Sequence, residues 1–278
     1  MSATFSVSDE SGFDSTASHQ GLLIGKGRTR DLYLKSGDRL KVTISNEAVA
    51  RVKEDVPRAG LTAERVFHVS GMTAGRARLI ASDAAGFARA ELDIVVKDRL
   101  IVLVNSYGVS DPLRKTVIVG ANVKLILEYA NDLYRPQTNI EFKSNSWTDL
   151  KLPKAIPQFE IIKAVRHHAL PELKILHSVL GHAAQTPEMV LHAFFVWEEF
   201  WVEPMRGVTI HDKTIIADSN TLAIGNAQHT FSHEAGHFLT RWTTFAHSHS
   251  LGSNDLMKNS PQITDRRIRL SQADLMNP

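Results

Sequence analysis

The 278-residue chain is 43% hydrophobic and 22% charged, an ordinary globular composition that excludes a disordered, collagen-like or disulfide-stapled chain. Its 32 basic and 30 acidic residues leave a formal charge of +2, which gives no footprint for nucleic acid or an anionic membrane surface. There is no cysteine, so thiolate nucleophiles and cysteine-bearing zinc sites are excluded, and any metal must be held by His, Asp or Glu.

In chain order, Met1–Glu10 has no basic stretch followed by an apolar one, so no cleaved secretory signal is expected. The first thirty residues, rich in Ser, Gly, Thr and Asp, read either as a first edge strand around Gly21-Leu22-Leu23-Ile24 or as a flexible tail. From Asp31 short apolar runs follow one another: Leu32–Leu34, Leu40–Ile44, Val49–Val52, Val66–Val69, Ala77–Ala81 and Phe87–Val96. Turn residues separate them at Ser36-Gly37-Asp38, Ser45-Asn46, Gly71, Gly75 and Ala84-Ala85-Gly86. Alternation at this spacing predicts an antiparallel β-sandwich over 1–97. The phrases Val42–Val52 and Val69–Gly75 leading into Ala77–Ala81 resemble the bacterial Ig-like modules of surface and secreted proteins. That resemblance implies either a spacer or a module that meets a cell-surface or secretion-system partner.

Residues 98–278 hold eleven of the 13 histidines. Leu100–Val104 reads as a buried strand ending in a turn-rich stretch through Asp111-Pro112. Val119, Val123, Leu125, Ile126, Tyr129, Ala130 and Leu133 form a helical stripe that stops before Pro136, and Asn139–Phe142 is the next strand. Strand, helix, strand predicts a sheet with helices packed on it, an α+β second domain. Glu160–His168 and Pro171–His177 read as a further helical stretch. Val190–Trp201 is a strand or a buried helix; broken by Glu198 and Glu199, it is too short to span a membrane. Gly207–Ile210 and Lys213–Asp218 are β-branched strands joined by His211-Asp212, a hairpin-like connection.

The chemistry starts at Phe231-Ser232-His233-Glu234-Ala235-Gly236-His237. On a helix His233 and His237 lie one turn apart on one face, where both imidazoles reach one Zn²⁺. Glu234 beside the first of them is placed as general base for a water on that zinc. With 13 His and 14 Glu in 278 residues, a chance His-Glu-x-x-His is expected only about 0.03 times. Glu234 is the last glutamate, so a downstream Glu ligand is excluded; His247, His249, Asp255, Asp265 and Asp274 remain.

The segment His249-Ser250-Leu251-Gly252-Ser253-Asn254-Asp255-Leu256-Met257 resembles the end of a metzincin active site, where a third histidine precedes a Leu-Met turn under the metal. The tail from Ile263-Thr264-Asp265 into Leu270–Met276 is similar to the closing helix of bacterial metzincin-like proteases. The resemblance implies a zincin/metzincin-like catalytic domain over 98–278, with His233, His237 and His249 as metal residues, His247 as the alternative third, and Met257 as the turn methionine. This sequence departs from the family's helix motif at Thr240 and Thr243, which stand where a Gly and the third ligand would fall. The helix is therefore expected to run on through Leu239–Trp242, and the third ligand to come later. His247 and His249 also share one face of an extended segment, so a pair of ligands resembling the His-x-His element of peptidoglycan amidases stays open.

Gly207–Ile210 or Thr214–Ala217 is expected to be the edge strand that pairs with an extended peptide substrate, and Trp197, Trp201 and Trp242 are candidates to line a specificity pocket. The function expected is that of a zinc endopeptidase, exported without a Sec signal as a bacterial effector or toxin. Two other classes are carried alongside: a peptidoglycan hydrolase using the same zinc, and a non-enzymatic adhesion protein whose helix motif is inert.

Overall fold

The computed structural model describes residues 3–8, 12–15, 20–36, 39–55, 64–155, 189–197, 207–210, 213–217, 223–240, 255–257 and 266–277. The predicted helices at 160–168 and 171–177 lie outside them. The chain groups into two compact units. One is formed from Met1–Leu100 with Tyr134–Asn139 and Arg267–Pro278, the other from Ile101–Leu133 and Ile140–Arg266. Segments 134–139 and 267–278, read from the sequence with the second region, thus group with the first.

The first unit is built on two sheets. One has the order β1 (Thr4–Ser6), β4 (Thr29–Lys35), β7 (Glu64–Gly71), β6 (Ala50–Glu54); the other runs β2 (Phe13–Asp14), β3 (Gln20–Gly25), β9 (Ala88–Lys97), β8 (Gly75–Ser82), β5 (Lys41–Ile44). Phe5, Leu32, Leu34, Phe67 and Val69 from the first sheet join Leu22, Ile24, Leu79, Leu92 and Ile94 from the second in one apolar cluster. The alternation read from the sequence is the alternation of burial that makes this sandwich, as in β8, where Ala77, Leu79 and Ala81 point inward.

Two details differ from the sequence reading. The Gly21–Ile24 run is neither tail nor edge: β3 lies inside its sheet between β2 and β9, and its Gly21–Gly25 backbone is buried throughout, as continuous apolar runs of interior strands are. The sandwich is also not wholly antiparallel, since β3 runs parallel to β9 from Gln20↔Leu92 to Gly25↔Lys97. After Gly25 the chain turns at once into β4 of the other sheet, with Gly27 at φ 76°, so β3 has no hairpin partner following it and takes β9 instead.

Helix α3 (Leu270–Met276) belongs to this unit. Buried Asp14 accepts hydrogen bonds from the Arg267 guanidinium at 2.8 Å and from the Leu270 N–H at 3.2 Å, and Asp274 pairs with Arg76 and, at 3.1 Å, with Lys97. Gly12 has φ 74°, and a Cβ there would stand 2.6 Å from the Pro136 carbonyl oxygen. Left-handed strain and a backbone overlap then act together, so Gly12→Ala is expected to cost about 2–4 kcal/mol, read as a lower urea midpoint at unchanged m.

The second unit carries a five-stranded sheet in the order β11 (Ile140–Lys151), β10 (Leu100–Ser110), β12 (Met189–Val196), β14 (Lys213–Ala217), β13 (Gly207–Ile210). β10 and β12 pair in parallel from Val102↔Met189, β12 and β14 in parallel from His192↔Lys213, and β13 turns back antiparallel to β14 with Ile210↔Lys213. The Val190–Trp201 ambiguity resolves as strand through Val196; Leu191–Val196 are all buried, which fits a strand covered on both faces.

Helix α1 (Gly120–Thr138) overruns the predicted stop at Pro136. Proline in the last turn forfeits only its own N–H, and the Thr138 hydroxyl donates to the Tyr134 carbonyl at 2.7 Å. The helix ends instead at Asn139, whose φ of 55° is left-handed. The described residues thus form an α+β architecture dominated by strands, with three helices among them. No helix among them is long and apolar enough to cross a membrane.

Candidate metal centre

Helix α2 (Ala223–Leu239) packs against β13 and β14. Its apolar side follows a spacing of four: Ala227, Phe231, Ala235 and Leu239 are buried, and Phe231 meets Phe142 of β11 edge-on at 5.6 Å between ring centres. The Gln228 amide donates to the Leu125 carbonyl of α1 at 3.1 Å. A second stripe, Asn226, His229, Thr230, His233, Glu234, His237 and Thr240, is polar and equally buried. Polar side chains at six buried positions of one helix and at the turn residue Thr240 are costly unless partnered, and their partners define the site.

His233 and His237 come together as the spacing required. Their rings stand at 90° with centres 4.7 Å apart, and the two Nε2 atoms are 3.1 Å from each other. His233 Nδ1 lies 2.7 Å from the Leu256 carbonyl oxygen, which can only accept. Nδ1 therefore carries the proton and Nε2 keeps its lone pair. Two imidazole nitrogens bound tetrahedrally to one zinc at ~2.0–2.1 Å stand about 3.3 Å apart, so this pair fits a zinc ion with little adjustment.

The carbonyl that fixes the His233 tautomer belongs to the residue before Met257. Asp255, Leu256 and Met257 are all buried, so the segment singled out as a Leu-Met turn lies against the first histidine of the helix. His247 and His249 lie outside the described residues, as do Thr243, Asp265, Trp201 and Trp242. Among the described residues no set of three His, Asp or Glu side chains able to hold a metal is present. Asp274 is engaged by Arg76 and Lys97 in the first unit. Trp197 is buried with the Arg114 guanidinium 5.1 Å over its ring. Of the continuation expected through Leu239–Trp242, helix α2 reaches Leu239; Thr240 follows in a turn, its hydroxyl donating to the Gly236 carbonyl at 3.0 Å, and residues 241–242 lie outside the described residues.

Glu234 is buried on the β13 side of α2. Burial pushes its carboxyl up to about 7, against the pull of a hydrogen bond from Thr209. A carboxyl poised near neutrality is suited to accept and return a proton. Of the two expected edge strands, Gly207–Ile210 is the outer one among the described strands; Thr214–Ala217 lies inside the sheet. Thr209 and Gly207 of that outer strand both touch Glu234, contacts that the reading of the motif did not include.

No protein-family description and no curated protein matches the chain. Among solved structures, 91% of the chain is similar to 84% of metalloproteinase-II from Bacteroides fragilis, at 10% identity and a TM-score of 0.38. A chain of a chaperone–substrate complex is similar over 76% of this chain, at 13% identity and a TM-score of 0.37, and this chain spans only 37% of its length. The titin domains z1z2 in complex with telethonin are similar over 39% of this chain and 58% of theirs, at 16% identity and a TM-score of 0.21. Likenesses at this level assign neither a fold nor an activity.

Proposed function

We propose that the chain is a zinc-dependent endopeptidase. The observation that carries this is the facing pair of His233 and His237 Nε2 atoms at 3.1 Å, with the His233 tautomer set by the Leu256 carbonyl. In this reading His233 and His237 hold the metal with His249, or alternatively His247, as the third ligand. When bound, zinc supplies Lewis acidity that makes water nucleophilic near neutral pH and polarises a carbonyl. Glu234 takes the proton released by the attacking water and passes it to the departing amine. The outer strand β13 supports a peptide as substrate: an extended backbone pairs with such an edge, alongside the strand that carries Glu234's neighbours.

The test is digestion by the zinc-reconstituted full-length chain of unfolded casein and, separately, of purified peptidoglycan. Cleavage of casein that stops with chelator and returns with zinc is the expected result. Digestion of cell wall with casein left intact would replace the endopeptidase by a wall hydrolase. Inertness towards both, with zinc bound, would remove the hydrolase reading.

A further inference from the structure

Beside the motif lies a pair of hydroxyls that the motif does not require. Thr209 and Thr214 sit opposite each other across the β13–β14 hairpin, both wholly buried, with their oxygens 3.0 Å apart. Thr209 Oγ1 is also 2.7 Å from Glu234 Oε2 and 3.0 Å from the Glu234 main-chain carbonyl. Thr209 has one hydroxyl hydrogen, and the ionised, base form of Glu234 can only accept. The shortest contact therefore takes that hydrogen, and Thr214 donates its own to the Thr209 oxygen. Two hydroxyls in series end on one carboxylate oxygen. Such a chain polarises in one direction and is costly to leave half-made in a buried place.

The same strand also shapes the rest of the Glu234 side chain. A Cβ at Gly207 would stand 2.9 Å from Glu234 Cγ and 2.7 Å from Thr230 Cγ2, so the stem of the glutamate lies against bare backbone at this residue. Gly207 faces the stem and Thr209 faces the carboxylate, two residues apart on one side of a strand. A glutamate has three side-chain torsions to fix, and these contacts fix them from outside its own helix.

We propose that Thr209, backed by Thr214, is a positioning residue that holds the Glu234 carboxylate in its working orientation. This rests on the endopeptidase reading for its kinetic consequence, and on the geometry alone for the pairing. The Thr209 hydroxyl acts through Glu234, while any pairing of a peptide with β13 is made by the strand's main chain, so removing the hydroxyl affects the chemical step and leaves substrate capture intact.

The experiment compares Thr209→Val, Thr209→Ser and Thr214→Val in the full-length zinc-loaded protein, with zinc content, kcat and KM measured for each. Thr209→Val is expected to keep one zinc per chain and a KM within about twofold, and to lose about 10–100-fold in kcat. Thr209→Ser keeps the hydroxyl and restores at least half of the wild-type kcat, while Thr214→Val falls between. Wild-type kcat in Thr209→Val overturns the proposal; so does loss of zinc, or equal loss in the Val and Ser variants, since either would make the role one of packing.

A second measurement needs no turnover. In the metal-free protein, Thr209→Val is expected to lower the Tm in the wild-type background and to do so by less than half as much in the Glu234→Ala background. Equal shifts in both backgrounds overturn the pairing. Should the wild type bind no zinc or cleave nothing, the endopeptidase reading fails, and this thermal cycle still decides whether Thr209 holds Glu234.

Discussion

Glu234→Gln is expected to retain one zinc per chain and to lose turnover by about 10²–10⁴-fold, the span a positioned general base contributes. The substitution is nearly isosteric, so the stem keeps its place against Gly207 and the side-chain carbonyl still accepts from the Thr209 hydroxyl. The histidines one residue before and three after it keep their facing arrangement, which depends on the Leu256 carbonyl and not on Glu234. What is lost is a carboxyl that burial brings to about 7 and that can both take and return a proton. Zinc content and initial rates on casein, measured side by side, read the two halves of this expectation. A Gln variant that cleaves at the wild-type rate would remove Glu234 from the mechanism, whatever metal the protein holds.

Much of the first unit was legible because alternation is a strong signal where two sheets face each other. Val66–Val69 and Ala77–Ala81 fall within β7 and β8, and their inward residues are the cluster residues. What periodicity does not carry is the identity of each strand's neighbour. Nothing in Gly21–Ile24 says that its partner is β9, some seventy positions on, or that the pair is parallel. The same limit applies to the tail: Leu270–Met276 reads as a helix, but its attachment to the first unit rests on Asp14, Arg76 and Lys97, residues with no local signature. At Pro136 the expected stop did not hold: a proline this close to the C-terminus removes one N–H, and the helix runs on to Thr138 before the left-handed Asn139 ends it.

In the second unit the facing of His233 and His237 was legible from a spacing of four on a helix, which fixes direction as well as distance. The support around them was legible only in part. Gly207–Ile210 and Lys213–Ala217 were legible as neighbouring strands, but the facing of Thr209 and Thr214 emerges from their register in the sheet. The meeting of Thr209 with Glu234 likewise emerges only from the structure, because it depends on which face of the sheet receives α2. The carbonyl of Leu256 carries no side-chain signal at all; its role emerges only when residues 255–257 return to the helix.

One zinc per chain in the wild type, purified without chelator or His-tag, is the expected result with the second large effect, and His233→Ala or His237→Ala abolishes it. A site with three protein ligands that loses one falls in affinity by more than about 10²-fold, beyond the cost of losing an outer partner alone. The same loss is readable without metal analysis. A ligand present at a hundred times its dissociation constant stabilises the folded state by about 2.7 kcal/mol, so added zinc raises the Tm of the wild type and leaves that of either alanine variant where it was. Because His233 Nδ1 is fixed by the Leu256 carbonyl, His233→Ala also leaves a buried carbonyl without its donor, and its metal-free Tm falls below that of the wild type. His249→Ala and His247→Ala complete the series. Zinc lost with the first and kept with the second assigns the third position to His249, the reverse assigns it to His247, and loss in both points to a paired His-x-His element. A wild type that holds no zinc even after reconstitution would leave the facing histidines as a buried structural pair and return the chain to the binding-module reading.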